Sequence, residues 1–561
     1  MPRVVLPVTR RGLVLTDSRV CWGILVVAMA IAAALILYLN RGTTFYADEM
    51  GRVLSSPGFD LRYVIEPHAG HLTVTSNLVV QGMLEAFGTD YAAFRVLGVV
   101  PVLLCAGLFY ALARRRIGAL PALAPSLVLL VFGSAWELVV IPFGFAVITG
   151  TALGLAALLA LDRDDRLGDL AACALLCLSV VTFSVGLAFV VGVAVNVLLR
   201  EDRWRRAWVF IVPALLYTAW WLWTLSLSDI TASGDELKAT NVLVIPSYIA
   251  DSLAAVLGSL LGLGYSFEDP TGEIELGWGR IASVGALIAL ALRIRRGNLP
   301  ASLWSSLAIV LALWTLGALV VGLLRSPEAP RYLFAGGVAV LLVATDAARS
   351  IRFSRLGLAA LFAACAVSLA TNLALLRDGA AFVRDASAST RAALAAADLA
   401  RGQAAPDFGP LVDAPFGQFL GNVPASTYYS VVDRYGSPAF SLSELERQSE
   451  PVRQDADRAL AKALDLRLTE SGAPTSKGAC REVRTGPGAP PVELPRRGAE
   501  ITALGAGGPV SLARFATIPT AELGRVAPGE TAALRIPVDD ASPPWRVSVP
   551  GASAVELCPL G

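Results

Sequence analysis

Over its first 375 residues the chain alternates long apolar runs with short polar connections, and after that point its character changes. Crossing about 30 Å of hydrocarbon takes about 20 apolar residues at a rise of about 1.5 Å each. On that measure the pattern predicts about eleven membrane spans, at residues 20–39, 92–112, 118–135, 141–161, 168–183, 184–199, 207–226, 279–294, 300–323, 331–348 and 356–375. The fifth and sixth share one apolar stretch too long for a single helix, divided by the small polar break at Thr182, Ser184 and Gly186.

Two further helices are expected not to cross. From His71 to Gly88, Leu72, Val79, Met83 and Phe87 recur at three-to-four-residue spacing with Thr, Ser, Asn and Gln between them, the pattern of an amphipathic helix lying on a membrane. Residues 243–263 are nearly long enough to span. A crossing there would carry Arg293, Arg295 and Arg296 to the side opposite every other arginine cluster, so the segment is expected to be interfacial or re-entrant.

Charge then orients the bundle. Arg3, Arg10, Arg11 and Arg19 precede the first span; later clusters are Arg114 to Arg116, Arg163 with Arg166, Arg200 to Arg206, Arg293 to Arg296 and Arg349 to Arg355. All fall on one face, the cytoplasmic one by the positive-inside rule. Residues 1–19 are therefore a cytoplasmic N-terminus, retained because no small-residue cleavage site follows. Residues 20–375 form the transmembrane domain with outer loops 40–91 and 227–278, and residues 376–561 form an extracytoplasmic domain. In that last part, 376–402 and 442–466 read as helices. From about 490, short alternating runs such as TAALRIPV and WRVSVPG predict a small β-sandwich. Cys480 and Cys558 flank this region, where an oxidising exterior permits a disulfide; the alternative is two unrelated thiols.

Composition agrees with a polytopic α-helical membrane protein. With 55% hydrophobic and 16% charged residues in 561, a soluble multidomain protein is excluded. The net charge of +1 conceals the separation of signs along the chain, and the preference for arginine over lysine reads as the codon usage of a high-GC bacterium. A bacterial cytoplasmic membrane is the expected location. No glycine-rich phosphate cradle faces the cytoplasm, and nothing points to a nucleic-acid partner.

Charged groups at the edge of a bilayer are costly and mark candidate chemistry. The loop after the first span carries Asp48, Glu49, Asp60, Glu66 and the chain's two histidines, His68 and His71. The turn LLRSPEAPRYLF carries Arg325, Glu328, Arg331 and Tyr332, and a third group comprises Asp229, Asp235, Glu236 and Lys238 with Glu268, Asp269, Glu273 and Glu275. Guanidinium forks match phosphate oxygens and stabilise a departing phosphate. A carboxylate takes the proton of an attacking hydroxyl. Other readings stand beside these. Asp48 caps a helix beginning at Glu49, and Arg325 and Arg331 anchor to headgroups. His68, His71 and Glu66 bind substrate, ligate a divalent metal, or are structural. Asp346 and the 162–166 run read as solvated cytoplasmic charges, and Trp220, Trp221 and Trp223 as an aromatic belt.

The acid pair in YADEM, the amphipathic outer helix, the Arg-Tyr pair in PRYLF, the span count and an outer C-terminal domain together resemble the GT-C superfamily of membrane glycosyltransferases. Its members include protein O-mannosyltransferases, the lipid A aminoarabinose transferase and actinobacterial arabinosyl- and mannosyltransferases. The resemblance lies in the layout of roughly residues 20–375 and in short motifs, with no counterpart for EPHAGH. It implies a GT-C-like fold and transfer of a sugar from a polyprenyl phosphate to an extracytoplasmic glycan, lipid or protein. It implies Asp48 as base, Glu49 as its pair member, and Arg331, Tyr332 and Arg325 on the donor phosphate. Substrate contact by His68, His71 and Glu66 is the expectation for the loop, and no cofactor is implied, a divalent metal being the alternative. The rival functions are a lipid-linked glycan transporter or flippase, for which neither a repeat nor midplane polarity is found, and a non-catalytic envelope-glycan assembly protein.

Overall fold

A computed structural model describes residues 18–227, 239–266, 269, 271–321, 325–349, 351–415, 417, 423–470, 479–486, 488–538 and 543–560. The helices in order are α1 (Ser18–Leu39), α2 (Asp48–Ser55), α3 (Leu61–Ile65), α4 (Val74–Phe87), α5 (Tyr91–Ile117), α6 (Ala119–Leu130), α7 (Trp136–Val140), α8 (Phe145–Leu161), α9 (Arg166–Thr182) and α10 (Gly186–Leu198). They continue with α11 (Arg203–Arg206), α12 (Trp208–Thr224), α13 (Ile245–Leu261), α14 (Gly277–Arg295), α15 (Ala301–Leu319), α16 (Pro330–Ala347), α17 (Arg355–Leu399), α18 (Ala425–Tyr435), α19 (Leu442–Leu445) and α20 (Glu450–Ala463). Contacts divide the chain into two units. One takes residues 1–41, 59–83 and 92–382; the other takes 42–58, 84–91 and 383–561.

The first unit is helical. Nine helices among the described residues are long and apolar enough to cross a membrane: Ser18–Leu39, Tyr91–Ile117, Ala119–Val140, Pro142–Leu161, Thr240–Leu261, Gly277–Arg295, Ala301–Leu319, Pro330–Ala347 and Arg355–Leu399. The chain is a multi-pass membrane protein. The helices α9, α10 and α12 are shorter, with 17, 13 and 17 residues.

Arginine gathers at one end of this bundle because its partners do. At the end of α5, Arg114 donates to Ser18 at the start of α1 (2.8 Å). Arg116 meets Asp346 at the end of α16 (2.5 Å), and Asp346 also accepts from Ser302 and Ser306 in the first turns of α15 (2.7 and 2.6 Å). Asp346 is fully buried, which corrects its reading as a solvated charge. Three helix ends close on this carboxylate, and a buried carboxylate is stable only when its oxygens are occupied. Within the 162–166 run, Asp164 is itself exposed but accepts from Arg200 and Arg206, while buried Arg206 also bonds the buried Asp169 (2.5 Å).

The apolar helix Thr240–Leu261 lies crosswise at the opposite end. Near its start, Asn241 donates to Leu319 O, the last residue of α15 (2.8 Å). In its middle, Asp251 pairs with Arg280 in the first turn of α14 (3.0 Å). At its end, Ser259 O accepts from Asn372 (3.1 Å), seventeen residues and about 25 Å along α17 from Arg355. Its start and middle therefore meet the ends of α15 and α14, and its end meets the interior of α17, all remote from the arginine-bearing helix ends, as a helix lying across the bundle does.

The helix α17 runs without interruption for 45 residues, with 355–382 belonging to the first unit and 383–399 to the second. The composition change after 375 is thus not a break, and the span expected at 356–375 and the helix expected at 376–402 are one element. Alanine sustains it: Ala392 to Ala397 are buried at the best helix-forming residue type. The expected helix at 442–466 is two, α19 opened by a capping box between Ser441 and Glu444, and α20.

The β-region begins at Leu468, earlier than the composition suggested. Its strands are β1 (Leu468–Glu470), β2 (Arg481–Arg484), β3 (Val492–Glu493), β4 (Gly498–Leu504), β5 (Gly508–Ala513), β6 (Ala521–Val526), β7 (Thr531–Arg535), β8 (Arg546–Ser548) and β9 (Ala554–Pro559). They form a five-stranded sheet, β1-β7-β4-β9-β2, and a four-stranded sheet, β3-β8-β5-β6, antiparallel throughout. The register pairing Arg481 with Leu557 sets Cys480 opposite Cys558, and the two are joined in a disulfide. Buried Asp457 on α20 accepts from the N–H groups of Phe515 and Ala516 (2.9 Å each), fastening helix to sheet.

Candidate functional site

In the second unit the site is the start of α2. The segment Thr43 to Tyr46 is buried, Thr44 N–H donates to Ser387 Oγ on α17 (3.0 Å), and Phe45 packs edge-on to Tyr91 at 4.8 Å between ring centroids. The chain then turns into the helix through Ala47, at φ 46° and ψ −116°. A side chain rarely adopts that backbone geometry, and a residue held there is strained by about 1–3 kcal/mol.

Two acids follow with opposite environments. Glu49 is 1% exposed, and its Oε2 accepts from Tyr46 N–H (3.0 Å) and from the Tyr91 hydroxyl (2.6 Å). Expected as the second catalytic acid, it is tied into the turn that sets the helix entry. Asp48 is exposed, and its carboxylate meets no hydrogen-bond or ion-pair partner among the described residues. It is the first residue of α2 rather than its cap; capping is done in this loop by Asp60, whose Oδ1 accepts from Tyr63 N–H (2.7 Å) at the start of α3.

In the first unit the EPHAGH stretch is a tight turn. His68 and His71 exchange both backbone hydrogen bonds (3.1 and 2.9 Å) around Ala69 and Gly70, at φ 47° and 79°. Two central residues at positive φ are what a two-residue type I′ turn requires. Side chains from the α9–α10 connection hold it: Ser184 Oγ lies 2.7 Å from His71 Nδ1, and the imidazole packs on Phe183 at 4.3 Å. Arg325 Nη2 reaches Ala69 O at 3.4 Å. Glu66 pairs with Arg62 (2.5 Å), and Trp220 donates to Ile65 O (2.8 Å), so this tryptophan fastens the loop rather than serving only as part of an aromatic belt.

Behind the loop, α4 buries polar residues beside the apolar Val80 and Leu84. Thr73, Ser76, Asn77 and Gln81 are buried, Ser76 bonding Thr182 O and Asn77 bonding Tyr63 O and Val64 O, while Leu78 and Phe87 are exposed.

Arg331 and Tyr332 open α16 beside Pro330. The Arg331 guanidinium is gripped at two points by Glu137 on α7, Nε to Oε2 at 2.9 Å and Nη2 to Oε1 at 3.3 Å, and the pair is partly exposed. Glu137 falls in the connection between the spans expected at 118–135 and 141–161, and its partner is 194 residues away. Its placement depends on a break between α6 and α7. There, Ser134 N–H and Oγ bond buried Asn372 Oδ1 (2.9 and 3.0 Å), and a side chain at Gly133 would run into the α17 backbone, 1.7 Å from Asn372 O. Nearby, burial and then the carboxylates of Glu273 and Asp251 hold the Glu328 carboxyl above its ordinary range, against the pull of Arg280.

Among the described residues one group of three potential metal ligands lies together, Cys480, Glu556 and Cys558, and its two sulfurs are already joined; His68, His71 and Glu66 form no such group. The predicted Asp229, Asp235, Glu236, Lys238 and Glu268, and the arginines Arg3, Arg10 and Arg11, lie outside the described residues.

No family model and no curated relative matches the sequence. Among solved structures the chain is similar to ArnT from Cupriavidus metallidurans bound to undecaprenyl phosphate, at 15% identity and a TM-score of 0.41, over 74% of this chain and 92% of that one. It is also similar to the arabinosyltransferase EmbB from Mycobacterium smegmatis, at 13% identity and a TM-score of 0.30, over 100% of this chain and 65% of that one. At these scores neither likeness decides the fold or the chemistry.

Proposed function

We propose that this protein is a GT-C-type glycosyltransferase that moves a sugar from a polyprenyl phosphate to a hydroxyl acceptor on the extracytoplasmic side of a bacterial cytoplasmic membrane. The observation that carries the reading is the contrast at the start of α2, where Glu49 is buried and bonded while Asp48 is exposed without a partner among the described residues, directly after a strained Ala47. Strain of this kind persists where the surrounding structure imposes it, and functional sites are where it collects.

In the proposed reaction Asp48 accepts the proton of the acceptor hydroxyl as its oxygen attacks the anomeric carbon. The bond from that carbon to the phosphate oxygen breaks, polyprenyl phosphate departs with the bonding pair, and configuration inverts. The charge that develops on the phosphate is met by Arg331, with Tyr332 and Arg325 as further contacts. The guanidinium supplies the positive charge, so the step as proposed requires no metal. His68, His71 and Glu66 are assigned to substrate contact, the acceptor being a glycan, lipid or protein.

The test uses membranes containing the full chain, supplied with polyprenyl-phosphate-linked mannose or arabinose and an envelope acceptor fraction. Asp48→Asn should lower transfer by about 10²–10⁴-fold with unchanged membrane abundance and donor binding. Transfer at the wild-type rate in that variant would refute the assignment.

A further inference from the structure

Resting on the proposed reaction, we infer that Glu137 is a positioning residue that both aims the Arg331 guanidinium and limits how tightly the departing polyprenyl phosphate is held. Glu137 occupies two N–H groups on one edge of the fork, Nε at 2.9 Å and Nη2 at 3.3 Å. Two parallel contacts fix the plane of a guanidinium as well as its place. The carboxylate is itself fixed, since it stands on the short α7 whose entry is pinned through Ser134 to buried Asn372. Asn372 in turn donates to Ser259 O and Ser368 O (3.1 and 3.0 Å), so the aim of Arg331 is set by a rigid junction of α6, α13 and α17.

The charge on Glu137 matters because donor and product differ in charge. The sugar-linked donor is a phosphodiester with one negative charge. The product is a monoester that carries between one and two near neutral pH. A guanidinium with no fixed counter-ion would hold the product more tightly than the donor, and each turnover would end in a slow release. A carboxylate already on the fork repels the dianion more than the monoanion and lowers that difference. It also leaves the pair partly exposed, at 43% for Arg331 and 21% for Glu137, where a phosphate oxygen can approach.

The probe is undecaprenyl phosphate, titrated against the purified full chain in lipid nanodiscs, alongside steady-state transfer. Glu137→Gln keeps the length and one acceptor oxygen but removes the charge. It should bind undecaprenyl phosphate about tenfold more tightly, with kcat falling by a similar factor and kcat/KM for the donor changing less than threefold. Glu137→Asp, with the charge retained on a shorter arm, should show wild-type product affinity and a raised donor KM. The gain in Glu137→Gln should vanish in the double variant with Arg331→Gln. Phosphatidic acid in the disc at the same concentration should not compete. Unchanged or weakened binding in a folded Glu137→Gln, or full competition by phosphatidic acid, overturns the role given to Glu137 while leaving the transferase standing. Absence of undecaprenyl phosphate binding by the wild type and its Arg331→Gln variant alike overturns both.

Discussion

The two ends of the helical unit handle charge in opposite ways. At the arginine-bearing end, Asp346 is sealed off and takes three donors from two other helices, and Arg206 is nine-tenths or more enclosed against Asp169. At the other end, Arg331 with Glu137 and Arg280 with Asp251 are held at comparable distances but partly exposed. Proximity of opposite charges is the same in both places; access is not. Enclosed pairs hold helices in register, whereas open pairs leave a cation positioned and reachable. The same division separates neighbours in sequence, Glu49 enclosed and Asp48 open.

Removing one partner at each place tests that division. Asp346→Ala should cost about 3–5 kcal/mol, because Arg116 is left buried and unopposed, and the double variant with Arg116→Ala should recover part of the loss; thermal unfolding in detergent reads both. Arg331→Gln, by contrast, should leave the unfolding midpoint within the effect of a surface pair, about 1 kcal/mol or less, and lower transfer instead. A large stability loss there would erase the distinction.

Smaller effects sharpen it. Glu49→Ala removes the acceptor of the Tyr46 N–H and the Tyr91 hydroxyl at a cost of about 1–3 kcal/mol, and Glu49→Gln, which keeps an acceptor oxygen, should recover most stability and most transfer. If Glu49→Gln loses transfer as completely as Asp48→Asn while remaining folded, Glu49 is chemical and not structural. The smallest effect belongs to Glu328. Its folded-state carboxyl is raised above the ordinary value of 4.5, so the folded protein holds that proton more tightly than the unfolded chain does. Stability from this group therefore declines as pH rises from the ordinary carboxyl range through the raised value. Glu328→Gln should remove that slope and move the midpoint by no more than about 2 °C, seen as midpoints compared at pH 4, 5 and 6.

What was legible in the sequence followed from local pattern. Apolar runs located the helices, arginine clusters identified the end where Arg116 and Arg293 bond the end of α16, and spacing found α4. Cys480 and Cys558 stood out because the other five cysteines all lie in apolar runs. What escaped was pairing. Glu137 and Arg331 are 194 residues apart, Ser134 and Asn372 are 238, and Asp346 finds Arg116 across 230. No periodicity encodes such distances, so Asp346 read as solvated. The Asp48–Glu49 pair shows the limit most sharply. Two adjacent acids are equivalent in one dimension, and only the helix entry at Ala47 decides which of them faces solvent.

The crosswise helix Thr240–Leu261 also bears on how the protein is made. As it leaves the ribosome this segment carries the length and hydropathy of a membrane span, and the contacts of Asn241, Asp251 and Ser259 that hold it flat involve helices not yet synthesised. For that interval the insertion machinery has two choices, and threading it through would invert every later helix. Arg293, Arg295 and Arg296 then act as a brake on the wrong choice, through the cost of moving them across the bilayer. Arg293 also bonds Ala347 O at the end of α16 in the finished fold, so a variant of Arg295 and Arg296 alone would be damaged in assembly more than in the folded protein.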